Sequence, residues 1–117
     1  MNIELKRIPF TTSKVMELMP IIPKAEYERR LATLYKVAEA DWVVVYGDRE
    51  HYGNLTYLLN FDPRFEEVLL VLGPNNARSL VVGNEDLGYG SVLPFPVDMV
   101  LSQTLSLPGQ QRDNAPK

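Results

Sequence analysis

Residues 41–83 read DWVVVYGDREHYGNLTYLLNFDPRFEEVLLVLGPNNARSLVVG, and this stretch decides the fold. It holds three short apolar runs, at 42–46, 68–72 and 80–82, bounded by glycine, proline, asparagine and charged residues. Short valine-rich runs of this kind are typical of strands buried on both faces. A helix-like segment at 49–59 lies between the first two runs. The order strand, helix, strand predicts a right-handed crossover, with 42–46 as the central strand, parallel to 68–72.

The segment before this stretch is helical in pattern. Apolar residues recur near a period of 3.6 over residues 24–40, with charged residues between them, which predicts an amphipathic helix. Glu26 and Arg30 stand four residues apart in the order that favours an ion pair on a helix. Residues 14–19 predict one further short helix, which Pro20 ends.

The second half of the stretch predicts a hairpin. The sequence Gly-Pro-Asn-Asn at 73–76 is dense in turn-forming residues, so 67–72 and 79–83 are expected to pair in antiparallel fashion. Residues 83–90 are expected to form a loop, and 97–101 a final strand. The fold class that follows is α/β, with a mixed β-sheet flanked by helices: a parallel pair plus an antiparallel addition.

Length and composition set further limits. A chain of 117 residues predicts one domain, assigned to 1–105, with a polar tail or linker at 106–117. The net charge of −3 offers no basic surface for nucleic acid or for an anionic membrane. The absence of cysteine excludes disulfides and thiolate zinc sites. No apolar run reaches the ~20 residues of a membrane span, and the N-terminus lacks the apolar core of a signal peptide. A cytoplasmic protein is expected.

Several motifs of the chain occur in the same order in one known family. They are Tyr-x-x-Arg near a helix start, a strand ending Val-Tyr-Gly, His-x-x-Asn-Leu-x-Tyr-Leu, Phe-Asp-Pro-Arg-Phe-Glu-Glu, an apolar strand and Gly-Asn-Glu. In this sequence they occupy residues 27–30, 45–47, 51–58, 61–67, 68–72 and 83–85. With this arrangement the chain resembles the N-terminal domain of the creatinase, prolidase and aminopeptidase P metallopeptidases, over about residues 24–112.

The resemblance implies a fold for this domain and assigns catalysis to a different domain. The fold would be that of the creatinase and prolidase N-terminal domain, with a ribonuclease-H-like motif. Catalysis would belong to a C-terminal domain in which two divalent metal ions (Mn, Co or Zn) activate a water molecule against a peptide bond, often one before proline. The N-terminal domain would contribute to a homodimer and approach the partner's active site. This chain is then expected to be a fragment without catalytic residues, metal ligands or cofactor of its own.

The resemblance also points to residues at the substrate rim or the subunit interface. They are His51, Tyr57, Phe61, Arg64 and Phe65. For His51 the alternative is a partly exposed polar residue at the turn after the first strand. For Arg64 the alternative is a surface ion pair with Glu66 or Glu67, two carboxylates that strand alternation places on opposite faces.

Other functions stay open from the sequence. No Gly-x-Ser-x-Gly, Walker loop or His-Glu-x-x-His occurs, so no catalytic set is visible. A free-standing binding module on the same scaffold, without enzymatic activity, is the main alternative. An unrelated nuclease of the ribonuclease H kind would need strand-end acids that converge on Mg²⁺, for which Asp48 and Asp62 are the candidates.

Overall fold

The computed structural model describes residues 4, 6, 7 and 21–109. Within them, a four-stranded sheet is flanked by helices, which confirms the α/β class with a mixed sheet. The helix expected at 14–19 and residues 110–117 of the expected tail lie outside the described residues. In chain order the elements are α1 (Lys24–Ala38), β1 (Val43–Gly47), α2 (Gly53–Leu59), β2 (Val68–Leu72), β3 (Arg78–Val82), α3 (Asn84–Leu87) and β4 (Asp98–Leu101), with short 3-10 turns at Pro74–Asn76, Gly88–Val92 and Gln103–Leu105.

Helix α1 is confirmed almost as expected. Its amphipathic pattern buries Tyr27 and Leu31 against the rest of the domain. The predicted pair is present, with Arg30 Nε 2.9 Å from a carboxylate oxygen of Glu26. The helix ends where Glu39 adopts a left-handed conformation (φ 49°), a backbone conformation that ends many helices.

The order of strands differs from the prediction. The sheet has the order β1-β2-β3-β4, so β1 is an edge strand and not the central one. Strands β1 and β2 are antiparallel, with Val45 opposite Leu70 and Gly47 opposite Val68. The expected parallel crossover between them is therefore wrong. The parallel pair of the mixed sheet is β3 with β4.

The connection between β1 and β2 explains the difference. Helix α2 has seven residues, from 53 to 59, in place of the eleven expected at 49–59. It ends at Asn60 in a left-handed conformation (φ 57°), which asparagine adopts more readily than most residues. From there residues 61–67 run back to the end of the sheet that the chain left after Gly47, so β2 starts beside the end of β1.

The hairpin of β2 and β3 is confirmed, with Leu70 opposite Leu80 at its centre. These two residues are fully buried and lie at the centre of the core. The loop expected at 83–90 contains α3 and the start of a 3-10 turn. The buried apolar residues form one cluster: Tyr27, Leu31, Leu55, Leu58, Leu59, Phe61, Val68, Leu70, Leu72, Leu80, Val82 and Phe95.

The face of the sheet that points away from the core carries apolar residues, and none of the described residues covers them. Val44 is 59% exposed, and Trp42, Tyr46 and Val100 are exposed as well. The expectation that the first apolar run is buried on both faces is wrong, because only Val43 and Val45 of β1 pack against the core. None of the helices in the described part of the chain is both long and apolar enough to cross a lipid bilayer.

We expect the same substitution, valine to alanine, to change stability differently on the buried and the exposed face of the sheet. Val82→Ala removes two buried carbon atoms and should lower the free energy of unfolding by about 2 kcal/mol. Val44→Ala, the matched control on the exposed face, should change it by less than about 0.5 kcal/mol. Urea denaturation followed by circular dichroism measures both. Equal losses would show that the exposed face of β1 is covered in solution.

Candidate functional site

The turn after β1 is organised by the carboxylate of Asp48. Its Oδ1 accepts hydrogen bonds from the backbone N–H groups of Glu50, at 2.8 Å, and His51, at 2.6 Å. The imidazole Nδ1 of His51 lies 2.9 Å from the same oxygen. Because a carboxylate only accepts, Nδ1 carries the proton in this pair, which leaves Nε2 as an acceptor in the neutral ring. On the other side the hydroxyl of Tyr46 donates to Oδ2 at 2.8 Å.

These donors shift two pKa values in opposite directions. The hydrogen bond from Tyr46, with those from His51 and the turn backbone, holds the pKa of Asp48 well below its usual range. The same hydrogen bond to Asp48 raises the pKa of Tyr46 to about 12, with burial and the nearby Glu67 adding to it. At neutral pH Asp48 is therefore ionised and Tyr46 keeps its proton.

Strand pairing brings a second loop to this turn. Since Gly47 lies opposite Val68, the end of β1 and the residues before β2 lie side by side at the same end of the strands, here called the edge of the sheet. The Tyr46 hydroxyl lies 3.4 Å from a carboxylate oxygen of Glu67. Between the two loops and residues 104–108 opens a cavity of about 380 Å³, here called the acidic groove. Its charged lining residues are four acids and one base: Asp48, Glu50, Glu66, Glu67 and Arg49.

Three of the sequence-predicted site residues lie on the surface at this edge. His51 is exposed on the turn, and Phe65 is exposed and lines the acidic groove. Arg64 is exposed too, but it lines a separate cavity of about 300 Å³ together with Tyr89. Its Nε lies 3.3 Å from Asp62, so the surface partner of Arg64 is Asp62 and neither Glu66 nor Glu67.

The structure places the other two predicted site residues elsewhere. Phe61, expected at the rim, is 1% exposed and lies in the hydrophobic core, where it stabilises the fold. Tyr57 lies on α2 against α1. The guanidinium carbon of Arg30 lies 4.1 Å from the centre of the Tyr57 ring, a cation–π contact, and Arg30 Nη1 donates to the Tyr57 carbonyl at 2.7 Å. Tyr57 therefore joins two helices and is not part of the acidic groove.

Sequence reasoning missed a buried carboxylate next to the groove. Glu66 is 4% exposed, and its oxygens accept the backbone N–H groups of Glu85, at 3.2 Å, and Asp86, at 3.1 Å. It thereby fixes the loop before β2 to the start of α3. A side chain at Gly83 would collide with the Glu66 carboxylate in this position, so glycine leaves room for the contact of Glu66 with α3. The glycine of the Gly-Asn-Glu motif is the one sequence feature that could have indicated this contact.

The resemblance places its two metal ions in a C-terminal domain and not among the described residues. Among residues 4, 6, 7 and 21–109, no group of three or more histidines, aspartates and glutamates is placed to hold a metal ion. Asp48 uses its oxygens to accept hydrogen bonds from the turn, and Asp62 pairs with Arg64. No step of hydrolysis is therefore assigned to these side chains.

In comparisons with protein-family models, with curated proteins and with solved structures, the chain gives no match.

The Asp48 turn predicts a pH-dependent effect of substitution. Because the folded-state pKa of Asp48 lies below its unfolded value of ~3.9, its contribution to stability is complete above that unfolded value and is lost as pH falls through the folded pKa. Asp48→Asn should therefore lower the urea midpoint at pH 7, with a gap to wild type that narrows below about pH 4.

The control is Asp41→Asn, an exposed aspartate just before β1. It should stay close to wild type at both pH values. A gap between Asp48→Asn and wild type that is the same at pH 7 and pH 3 would contradict the role of the Asp48 charge.

Proposed function

We propose that this chain is the non-catalytic N-terminal domain of a larger peptidase that resembles the creatinase, prolidase and aminopeptidase P proteins. In this proposal the domain has their N-terminal fold with its ribonuclease-H-like motif, and it contributes to a homodimer. The two loops at 48–52 and 62–67, here called the rim loops, border the partner subunit's peptide-binding site. The metal-dependent chemistry belongs to a C-terminal region of the parent protein.

The observation that carries the proposal is the meeting of the rim loops at one edge of the sheet. They expose an aromatic ring, Phe65, and an imidazole, His51, beside a groove with an excess of carboxylates. An apolar ring suits contact with proline or another apolar side chain of a peptide. Carboxylates attract the cationic amino end of a peptide, and the Nε2 atom of His51 can hydrogen-bond its backbone.

The positions of the motif residues also support the resemblance. Tyr27 and Arg30 lie where α1 meets α2, and the guanidinium of Arg30 stacks on both Tyr27 and Tyr57. Phe61 is in the core, and Glu66 is bound to the backbone of α3. Motif residues that hold elements together are the ones that related domains with different surfaces would share.

A free-standing binding module is the second candidate, and the exposed sheet face favours it. Trp42, Val44 and Tyr46 lie on the same side of an edge strand and are all exposed. Large apolar side chains that lie together on a protein surface often mark a site of interaction with a partner. In that case the chain would bind a partner without any hydrolytic activity in the complex.

The proposal predicts that the isolated chain does not cleave Xaa-Pro peptides. Purified protein with added Mn²⁺, Co²⁺ or Zn²⁺ should release no proline-containing product above the rate of the metal alone, as measured by chromatography of the peptide. Turnover that co-purifies with the chain and is lost in the Asp48→Asn variant would contradict the proposal, because it would place a catalytic group in this domain.

In the parent protein, Arg64→Ala and Phe65→Ala should each lower kcat/KM for an Xaa-Pro peptide tenfold or more, because the rim loses a contact to substrate. Melting temperature and dimerisation should stay unchanged, since both side chains are exposed. Arg29→Ala is the matched control, because Arg29 is exposed on α1 and pairs with Glu26. Unchanged kinetics in both rim variants, or losses explained by unfolding, would contradict the rim role.

A further inference from the structure

Three carboxyl groups meet where the second rim loop contacts α3: Glu66, Glu85 and Asp86, here called the carboxyl cluster. Asp86 is 1% exposed, and its Oδ2 has no hydrogen-bond partner among the residues that the structure describes. Glu66 is almost as buried and already accepts two backbone N–H groups. The carboxyl group of Glu85 lies close enough to that of Glu66 to raise the pKa of Glu85.

Two ionised carboxyl groups that lie together repel each other and cannot hydrogen-bond, because carboxylates only accept, so such a pair favours a proton on one of them. A buried carboxylate without a donor is also costly, and such groups take up a proton instead of staying charged. The charged groups that act on Asp86 are Glu66 and Glu85 of the cluster and Asp62 of the rim loop, all of them acids. Gln103 of the neighbouring 3-10 turn and Ser106 just after it are uncharged and contact Asn84.

We propose that the carboxyl cluster is a pH-sensitive contact that holds the second rim loop on α3 most firmly while Asp86 and Glu85 carry protons. Ionisation of Asp86 and Glu85 places additional negative charges against the Glu66 carboxylate, which weakens the contact between the loop and α3. Phe65 and Glu67 flank Glu66 in the chain, so their positions in the acidic groove depend on the same contact. The regulation of the rim rests on the proposed function, whereas the titration of the cluster does not.

The direction of the pKa shifts agrees with the geometry. Burial, followed by repulsion from Glu66, Glu85 and Asp62, raises the pKa of Asp86 from 3.8 to about 6. The nearby carboxyl group of Glu66 raises the pKa of Glu85 as well. A group with a raised folded-state pKa stabilises the fold fully below its unfolded pKa, and this contribution is lost as pH rises through the folded value. The window for Asp86 is therefore about pH 4 to pH 6.

The test compares wild type with Asp86→Asn, whose amide is uncharged at every pH. Urea denaturation between pH 4 and pH 8 gives the folded-to-unfolded ratio of each. The ratio for wild type divided by that for Asp86→Asn should fall by up to about a hundredfold between pH 4 and pH 6, which corresponds to two pKa units, and then level off. Asp41→Asn, an exposed aspartate, should show no such change against wild type.

A second measurement does not depend on the folding of the variant. In wild type, hydrogen-exchange protection of the Glu85 and Asp86 amides, corrected for intrinsic exchange, should fall between pH 4 and pH 6, because both amides donate to Glu66. The proposal would be overturned if neither the amide protection nor the stability ratio of wild type to Asp86→Asn changed with pH. It would also be overturned by a stabilisation of wild type at pH 7 by Mg²⁺ or Ca²⁺ that Asp86→Asn loses, because the cluster would then hold a cation in place of a proton.

Discussion

The antiparallel pairing of Gly47 with Val68 is the constraint on which the candidate site depends. It returns the chain, after α2, to the edge of the sheet that it left. The turn at Asp48 and the loop at Glu66 and Glu67 therefore lie side by side. A parallel pairing would have placed these two loops at opposite ends of the strands, and neither the acidic groove nor the contact of Tyr46 with Glu67 would exist.

Two aspartates near this edge show how neighbours decide the state of a carboxyl group. Asp48 is surrounded by donors: the Tyr46 hydroxyl, the His51 ring and two backbone N–H groups. Asp86 is buried, and the charged groups around it are acids. Asp48 therefore stays charged to low pH, and the pKa of Asp86 rises. The first fixes a turn through its charge, and the second disturbs its surroundings when it becomes charged.

The local sequence pattern correctly predicted those elements whose pairing partners lie close to them in sequence. The bounds of β2 and the start of α1 agree with the expectation, and so does the hairpin around the Pro-Asn-Asn turn. The central position and direction of β1 were wrong, because an unbroken apolar run does not reveal whether one or both faces are covered. The burial of Phe61 and the contact of Glu66 with α3 were also missed. Both depend on tertiary packing, and the Glu66 contact joins residues about twenty positions apart.

Tyr46 connects the exposed face of the sheet with the candidate site. Its ring lies on the same side of β1 as Val44, where the described residues leave the sheet uncovered, and its hydroxyl donates to Asp48. The rotamer in which the Tyr46 hydroxyl reaches Asp48 therefore also fixes the position of the Tyr46 ring on the exposed face. A molecule that packed on this face would contact the Tyr46 ring and act on the hydrogen bond that orders the turn at His51. The apolar face and the polar rim are thus two sides of one strand end, joined by one amphipathic side chain.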